Sequence, residues 1–248
     1  MDRVRRLIIT LTVAIIVLAS VAAFVTPLSA GANNASTVAV TTPSTARVGN
    51  GSAAAVTTPP SVVAAAGWNK QTVDDSGAHV GEHTSLALTP TGWPAISYSD
   101  WMNYGLKYTY KDVGGWHIQV VDSGDVGLYT SLQLTPTGWP AISYYDVTNS
   151  SLKYTYKDAS GWHNQVVDSV AAGAYTSLQL TPTGWPAISY YDADYQYLKY
   201  TYKDASGWHN QVVDVGEFGT SLQLTPTGWP AISYYGNGDL KYAYKSAS

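Results

Sequence analysis

The amino-acid sequence predicts an all-β fold: a β-propeller of four blades, each with four antiparallel strands. Three observations predict it. TSLQLTPTGWPAISYYD fills 130–146 and returns letter for letter at 176–192, with near copies at 84–100 and 220–235. The tryptophans recur in two series, Trp68, Trp116, Trp162, Trp208 and Trp93, Trp139, Trp185, Trp229, each with a period near 46 residues. Repeats of that length belong to solenoids, propellers or helical arrays. The modules are also rich in Tyr, Thr, Val and Trp and punctuated by Pro, Gly, Asp and Ser, which suits strands and excludes helices.

The elements can be read within 161–206. The first strand is 163–168 (HNQVVD) and the second is 176–181 (TSLQLT). In the second, Leu178 and Leu180 share one face and Ser177 and Gln179 the other, the period-two pattern of a strand. Pro-Thr-Gly at 182–184 turns the chain into a third strand, 186–191, and 198–203 (LKYTYK) is the fourth. The short connections suit antiparallel hairpins. Units then run 67–114, 115–160, 161–206 and 207–248. The two tryptophan series also interleave every 23 residues, which suits a β-solenoid. Their surroundings differ consistently, GWPAISYY against GWHNQVVD, and this makes the longer period the true unit.

The phase of the repeats carries a further expectation. The first unit opens with GWNKQTVD at 67–74, and LKYAYK at 240–245 has no GW strand after it. The 67–74 strand is therefore expected to complete the last blade and close the ring, leaving no open edge. A closed monomer is the leading reading, and ring completion by two chains is the alternative.

The pattern TSLxLxxxGWPxISYYD…LKYTYKDxxGW resembles the tandem propeller repeats of many secreted bacterial and archaeal proteins of unassigned function, which are distantly similar to sialidase-type propellers. The resemblance covers 67–248 and implies a propeller without implying one activity. The sialidase Asp-box is not intact, because Leu178 and Leu180-Thr181 stand where Ser and Asp are wanted. An arginine triad of the sialidase kind is excluded too, since Arg occurs only at 3, 5, 6 and 47.

Residues 1–30 have a basic start, an apolar run and Leu28-Ser29-Ala30 as a cleavage site, and read as a secretory signal. The apolar run is long enough that an uncleaved anchor is the alternative. The Ala-, Thr-, Ser- and Pro-rich stretch 31–66 reads as a low-complexity linker. There is no cysteine, so no disulfide stabilises the domain. A formal net charge of −4 is the wrong sign for a phosphate-binding surface, and no nucleic-acid partner is expected. Membrane contact is expected only through an uncleaved N-terminal segment.

Several repeated residues are candidates for binding. Trp139, Trp185 and Trp229 each sit between Gly and Pro in a turn. Aromatics fixed in every blade usually pack between sheets, and when exposed they stack on sugar rings. The adjacent pairs Tyr144-Tyr145 and Tyr190-Tyr191 must point to opposite faces. The second tyrosine of each pair, Tyr145, Tyr191 or Tyr235, is the candidate for a groove. Asp146 and Asp192 follow two of them, and aromatic plus carboxylate is a carbohydrate-contact pair, or equally an ordinary hairpin entry. In LKYTYK the tyrosines 154 and 156 form the expected core face, with Lys153, Thr155 and Lys157 on a wet face. Asp74, Asp122, Asp168 and Asp214 read as turn caps.

His117, His163 and His209 recur one blade apart, too far for a shared metal, and no cofactor is expected. Near-identical blades supply one group many times, whereas catalysis needs different groups in different roles. Only the residues that break the repeat, such as His79, Glu82, His83, Trp101 and Glu217, are enzymatic candidates, and nothing pairs them. The resulting expectation is an extracellular, non-catalytic, lectin-like module with repeated weak carbohydrate sites. Its partner would be a multivalent glycan, gaining avidity from repetition. A protein-binding or envelope-structural propeller is the second reading.

Overall fold

The computed structural model describes residues 67–77, 79–169 and 172–246. The expected leader and linker lie outside them. Among the described residues the chain forms four antiparallel sheets. The first contains β1 (Val80–Leu88), β2 (Pro94–Asp100), β3 (Gly105–Asp112) and β4 (Gly115–Ser123). The second contains β5 (Val126–Leu134), β6 (Pro140–Asp146), β7 (Ser151–Asp158) and β8 (Gly161–Asp168). The third contains β9 (Ala172–Leu180), β10 (Pro186–Asp192), β11 (Tyr197–Asp204) and β12 (Gly207–Val215). The fourth has only three strands, β13 (Phe218–Leu224), β14 (Pro230–Gly236) and β15 (Asp239–Tyr244).

Strands follow one another across each sheet in chain order, so every connection within a sheet is a hairpin. The Thr-Pro-Thr-Gly turns close by backbone bonds such as Gly184 N–H to Thr181 O and Thr181 N–H to Trp185 O, both 2.8 Å. The Thr181 hydroxyl accepts a further bond from Trp185 N–H at 2.9 Å. Threonine is thus in the sequence to hold the turn.

The sheets stand around a common axis. β1 packs on β5, β5 on β9 and β9 on β13, so the first strand of each sheet is innermost. The ends of these strands surround one cavity of about 540 Å³, lined by Leu88, Leu134, Leu180 and Leu224. This is propeller architecture. Each hydrophobic core lies between two sheets rather than within one. Leu106 and Tyr108 of the first sheet meet Leu132, Ile142 and Tyr144 of the second, and the same set repeats between the second and third and between the third and fourth.

The blade boundary differs from the sequence reading. The GW strand does not open a unit; it pairs with the LKYTYK strand before it, Tyr200 opposite Gln211 and Lys203 opposite Trp208. A two-residue hairpin loop favours that pairing over the longer connection that follows.

Among the described residues the expected closure is not formed either. Residues 67–74 form no strand, the fourth sheet ends at β15, and β1 and β13 do not pack as the other inner strands do. What holds 67–74 in place is Asp74, which accepts the Tyr98 hydroxyl at 2.7 Å and Lys107 Nζ at 3.2 Å on the first sheet.

The face read as wet is largely covered as well. Thr155 is fully covered, like Thr109 and Thr201, while Lys153 and Lys157 are half-buried. A middle strand of a blade has a neighbouring sheet on both sides, so alternation of polar and apolar residues does not mean solvent on the polar side.

Candidate functional site

The two ends of the strands carry different chemistry. At one end lie the tryptophan turns and the apolar cavity. At the other lie the hairpin tips 101–104, 147–150 and 193–196 and the connectors between sheets. The expected site residues are divided between them. Trp139, Trp185 and Trp229, each about 40% exposed, are at the cavity end. Tyr145, Tyr191 and Tyr235 are at the other, roughly 20 Å away at 3.3 Å per residue along the strand. No single site combines both groups.

Tyr144, Tyr190 and Tyr234 are buried, while Tyr145 and Tyr191 are half-buried and Tyr235 is exposed. The two aspartates that follow are not open to a ligand. Asp146 accepts Asn149 N–H and Asn149 Nδ2, at 3.0 and 2.9 Å, and faces Lys153. Asp192 accepts Tyr195 N–H at 3.2 Å and pairs with Lys199 at 2.8 Å. Both are almost completely covered, so the ligand role expected for them gives way to hairpin capping and a buried ion pair.

Sequence reasoning missed the lysine at the centre of this arrangement. Lys153 bonds Asp122 on the first sheet and faces Asp146 on its own. Lys199 does the same with Asp168 and Asp192, both at 2.8 Å. The Asp122 series therefore consists of anchors between sheets rather than turn caps alone. Recurrence of Lys and Asp at a fixed phase was visible. Their pairing was not, because it crosses 31 residues between sheets.

Aromatic rings run continuously along the tyrosine end. His83 meets Tyr129 at 4.7 Å, Tyr129 meets Tyr175 at 4.5 Å, and Tyr175 meets Phe218 at 5.8 Å between ring centres. Phe218 continues to Tyr191 at 5.8 Å and Tyr235 at 6.4 Å. His83, Tyr129 and Tyr175 each have φ of 50–55° and lie at a register shift in the inner strand. A bulge of this kind re-aims one side chain, here an aromatic one, at a cost of about 1–3 kcal/mol for each left-handed residue. Burial lowers the pKa of His83, against the opposing charge of Glu82. Trp101, Met102, Tyr104 and Tyr195 on the nearby hairpin tips are exposed, which adds apolar surface to this end.

The repeat breaks at the third and fourth sheets, and a cleft opens there. Seven residues separate Asp168 from Thr176, but only five separate Asp214 from Thr220. The shorter connector crosses close to Gly236, where a Cβ would come within 3.0 Å of the Val215 carbonyl. This is why glycine stands where the other sheets have aspartate. Tyr191, Leu198, Glu217, Phe218, Tyr234 and Tyr235 border the cleft, which is narrow and shallow. Burial raises the pKa of the Tyr191 phenol, and Glu217 and Asp192 add to the effect, so Glu217 lies within electrostatic reach of that ring. At the equivalent place between the second and third sheets, Ala172 and Gly173 are packed down instead.

No protein-family model matches the chain, and no curated protein matches it in sequence. Among solved structures it is similar to a lectin of Aleuria aurantia in complex with Fucα1-6GlcNAc, at 9% identity and a TM-score of 0.43. That alignment covers 68% of this chain and 64% of the lectin. It is also similar to a Hadza microbial sialidase at 14% identity and a TM-score of 0.46, covering 66% of this chain and 44% of that one. The chain thus spans less than two thirds of either protein's length.

Proposed function

We propose that the protein is an extracellular, non-catalytic binding module for carbohydrate, and that the sugar sits at the tyrosine end in the cleft between the third and fourth sheets. One observation carries this reading: the aromatic residues Tyr191, Phe218 and Tyr235 border one opening together with the acidic residue Glu217. An aromatic ring covers the apolar face of a pyranose, and a carboxylate and backbone groups take its hydroxyls. The larger cavity at the other end is lined by Leu, Pro, Thr and Gln, with no charged side chain to orient a ligand.

A non-catalytic role is supported by the carboxylates. Glycoside hydrolysis uses a facing pair about 5–9.5 Å apart. Of the two acids beside the Tyr191 ring, Asp192 is capped and paired with Lys199, so it does not face Glu217 as a free second carboxylate. Export is supported by the basic and apolar start of the chain.

The test is a glycan-array screen followed by calorimetric titration of the hits. Saturable binding that is lost in Phe218→Ala and Tyr235→Ala, with folding intact, supports the reading. A folded protein that binds no glycan removes it and leaves the protein-binding role.

A further inference from the structure

The two ends of the described propeller are halves of an interface that the chain already makes twice in full. Between the first and second sheets, Trp162 packs edge-on against Tyr108 at 5.4 Å, and its Nε1 donates to Gln119 Oε1 at 3.0 Å. Between the second and third, Trp208 repeats both contacts with Tyr154 and Gln165, at 5.4 and 3.1 Å. In each interface the outer-strand Asp also receives the next sheet's tyrosine hydroxyl, as Asp122 does from Tyr144 and Asp168 from Tyr190.

At the first sheet half of this set is present. Asp74 receives Tyr98 and Lys107, as the outer-strand aspartate of a preceding sheet would. Trp116, the counterpart of Trp162, has its Nε1 buried with no hydrogen-bond partner. The glutamine at the matching place in GWNKQTVD is Gln71, three residues before Asp74, as Gln119 is before Asp122. At the fourth sheet the complementary half is exposed. Tyr242 is 66% exposed, whereas Tyr108, Tyr154 and Tyr200 are 4–5% exposed. β15 has no outer strand, and Trp68, which would lie over Tyr200 beside Gln211, is 94% exposed. Leu86 on β1, the counterpart of the buried Leu132, Leu178 and Leu222, is 63% exposed.

We propose that the chain associates head to tail with a second copy of itself. The first sheet of one copy, with its 67–74 strand, docks on the fourth sheet of the other. That strand pairs with the partner copy's β15 in the register of β11 with β12, and supplies the missing fourth strand. Lys70 then lies opposite position 243 and Trp68 opposite position 245. Trp116 covers position 242 of the other copy while its Nε1 donates to Gln71 of its own chain. The occupant is a second copy because β1 does not pack on the chain's own β13 as β5 packs on β9, and Leu86 is left exposed where Leu132 is covered. The interface joins unlike surfaces, so it propagates until a ring closes.

The chain has no cysteine, so single thiols report cleanly. Full-length Lys70→Cys and Ala243→Cys chains are purified separately, mixed and mildly oxidised. Facing strand positions have Cβ atoms about 4.5–5.5 Å apart, close enough to bridge with slight adjustment. The expected result is a disulfide-linked species containing one of each variant, absent from either alone. The unsubstituted protein should show a mass of at least two chains of 26.5 kDa by light scattering. A double variant that links within one chain, while the mixture gives no linked species, shows closure on itself and overturns the proposal. So does a monomeric mass for the unsubstituted protein at tens of micromolar.

Discussion

The carboxylate of Asp122, at the end of the outer strand of one sheet, accepts a 2.6 Å hydrogen bond from the hydroxyl of Tyr144, in the centre of the next. Burial and this carboxylate together push the phenol's pKa well above its usual value. The bond joins elements that share no backbone pairing. A hydrogen bond to a charged group contributes about 1.5–3 kcal/mol. Tyr144→Phe should lower stability by about that much in urea unfolding, with the m-value unchanged because the fold stays intact.

Lys153 is the shared cation of two largely buried carboxylates, Asp122 and Asp146. Lys153→Met leaves both without it and should cost about 3–5 kcal/mol. Lys241 is the same residue of the repeat, but Gly236 replaces its second carboxylate and its partner Asp214 is 40% exposed. Lys241→Met should therefore cost only about 0–1 kcal/mol. Equal losses in calorimetric melting would contradict the role given to the second aspartate.

Acid should loosen the same joints. Burial tends to raise the carboxyl of Asp74, but hydrogen bonds from Ser76, Tyr98 and Lys107 hold it well below its ordinary value of 3.8. Asp100 is lowered likewise, against burial, by Asn103 and Lys107. A carboxylate depressed in the folded state stabilises fully above its unfolded pKa, and that stability is lost as pH falls through the folded value. Lys107 is shifted the other way: burial opposes, and Asp100 and Asp74 raise it above 10.5, so its contribution fades only as pH rises beyond that. The melting temperature should be flat between about pH 7 and 9, decline slightly below about pH 6.5 because buried His83 takes up its proton more readily when unfolded, and fall steeply below about pH 4. Asp100→Asn should flatten the acid limb and lower the plateau.

Gly173 has φ of +120° and a hypothetical Cβ 2.8 Å from Leu152 Cα, across the joint between the second and third sheets. Gly161 has a similar φ of +126° with nothing within 4 Å. Gly161→Ala should cost the backbone strain alone, about 1–3 kcal/mol. Gly173→Ala must also push two sheets apart and should cost about 3 kcal/mol or more. Denaturant midpoints of the two variants separate strain from clash.

Glycan binding should depend on one end of the propeller. Phe218→Ala should abolish measurable binding, and Glu217→Gln should weaken it by about 1–3 kcal/mol through loss of a charge-assisted hydrogen bond. Trp185→Ala, at the other end, should leave the calorimetric affinity unchanged. Loss of binding in Trp185→Ala alone would move the site to the cavity end.

Strand content, hairpin order and the division of Tyr144 from Tyr145 were legible in the sequence by itself, because alternation along a strand is local and each repeat restates it. The same holds for the turns, where Thr, Pro and Gly do their work within five residues. The tertiary structure decided which strand closes a sheet, that Lys153 is half-buried between two carboxylates rather than wet, and that Asp146 and Asp192 are caps rather than ligand contacts. It also decided where the cleft opens, since two missing residues before Thr220 matter only once Tyr191 and Tyr235 are brought together from different sheets. Those outcomes depend on contacts between sheets, which join residues tens of positions apart. Local periodicity carries no information about which distant side chain will lie opposite, or whether a polar face meets water or the next blade.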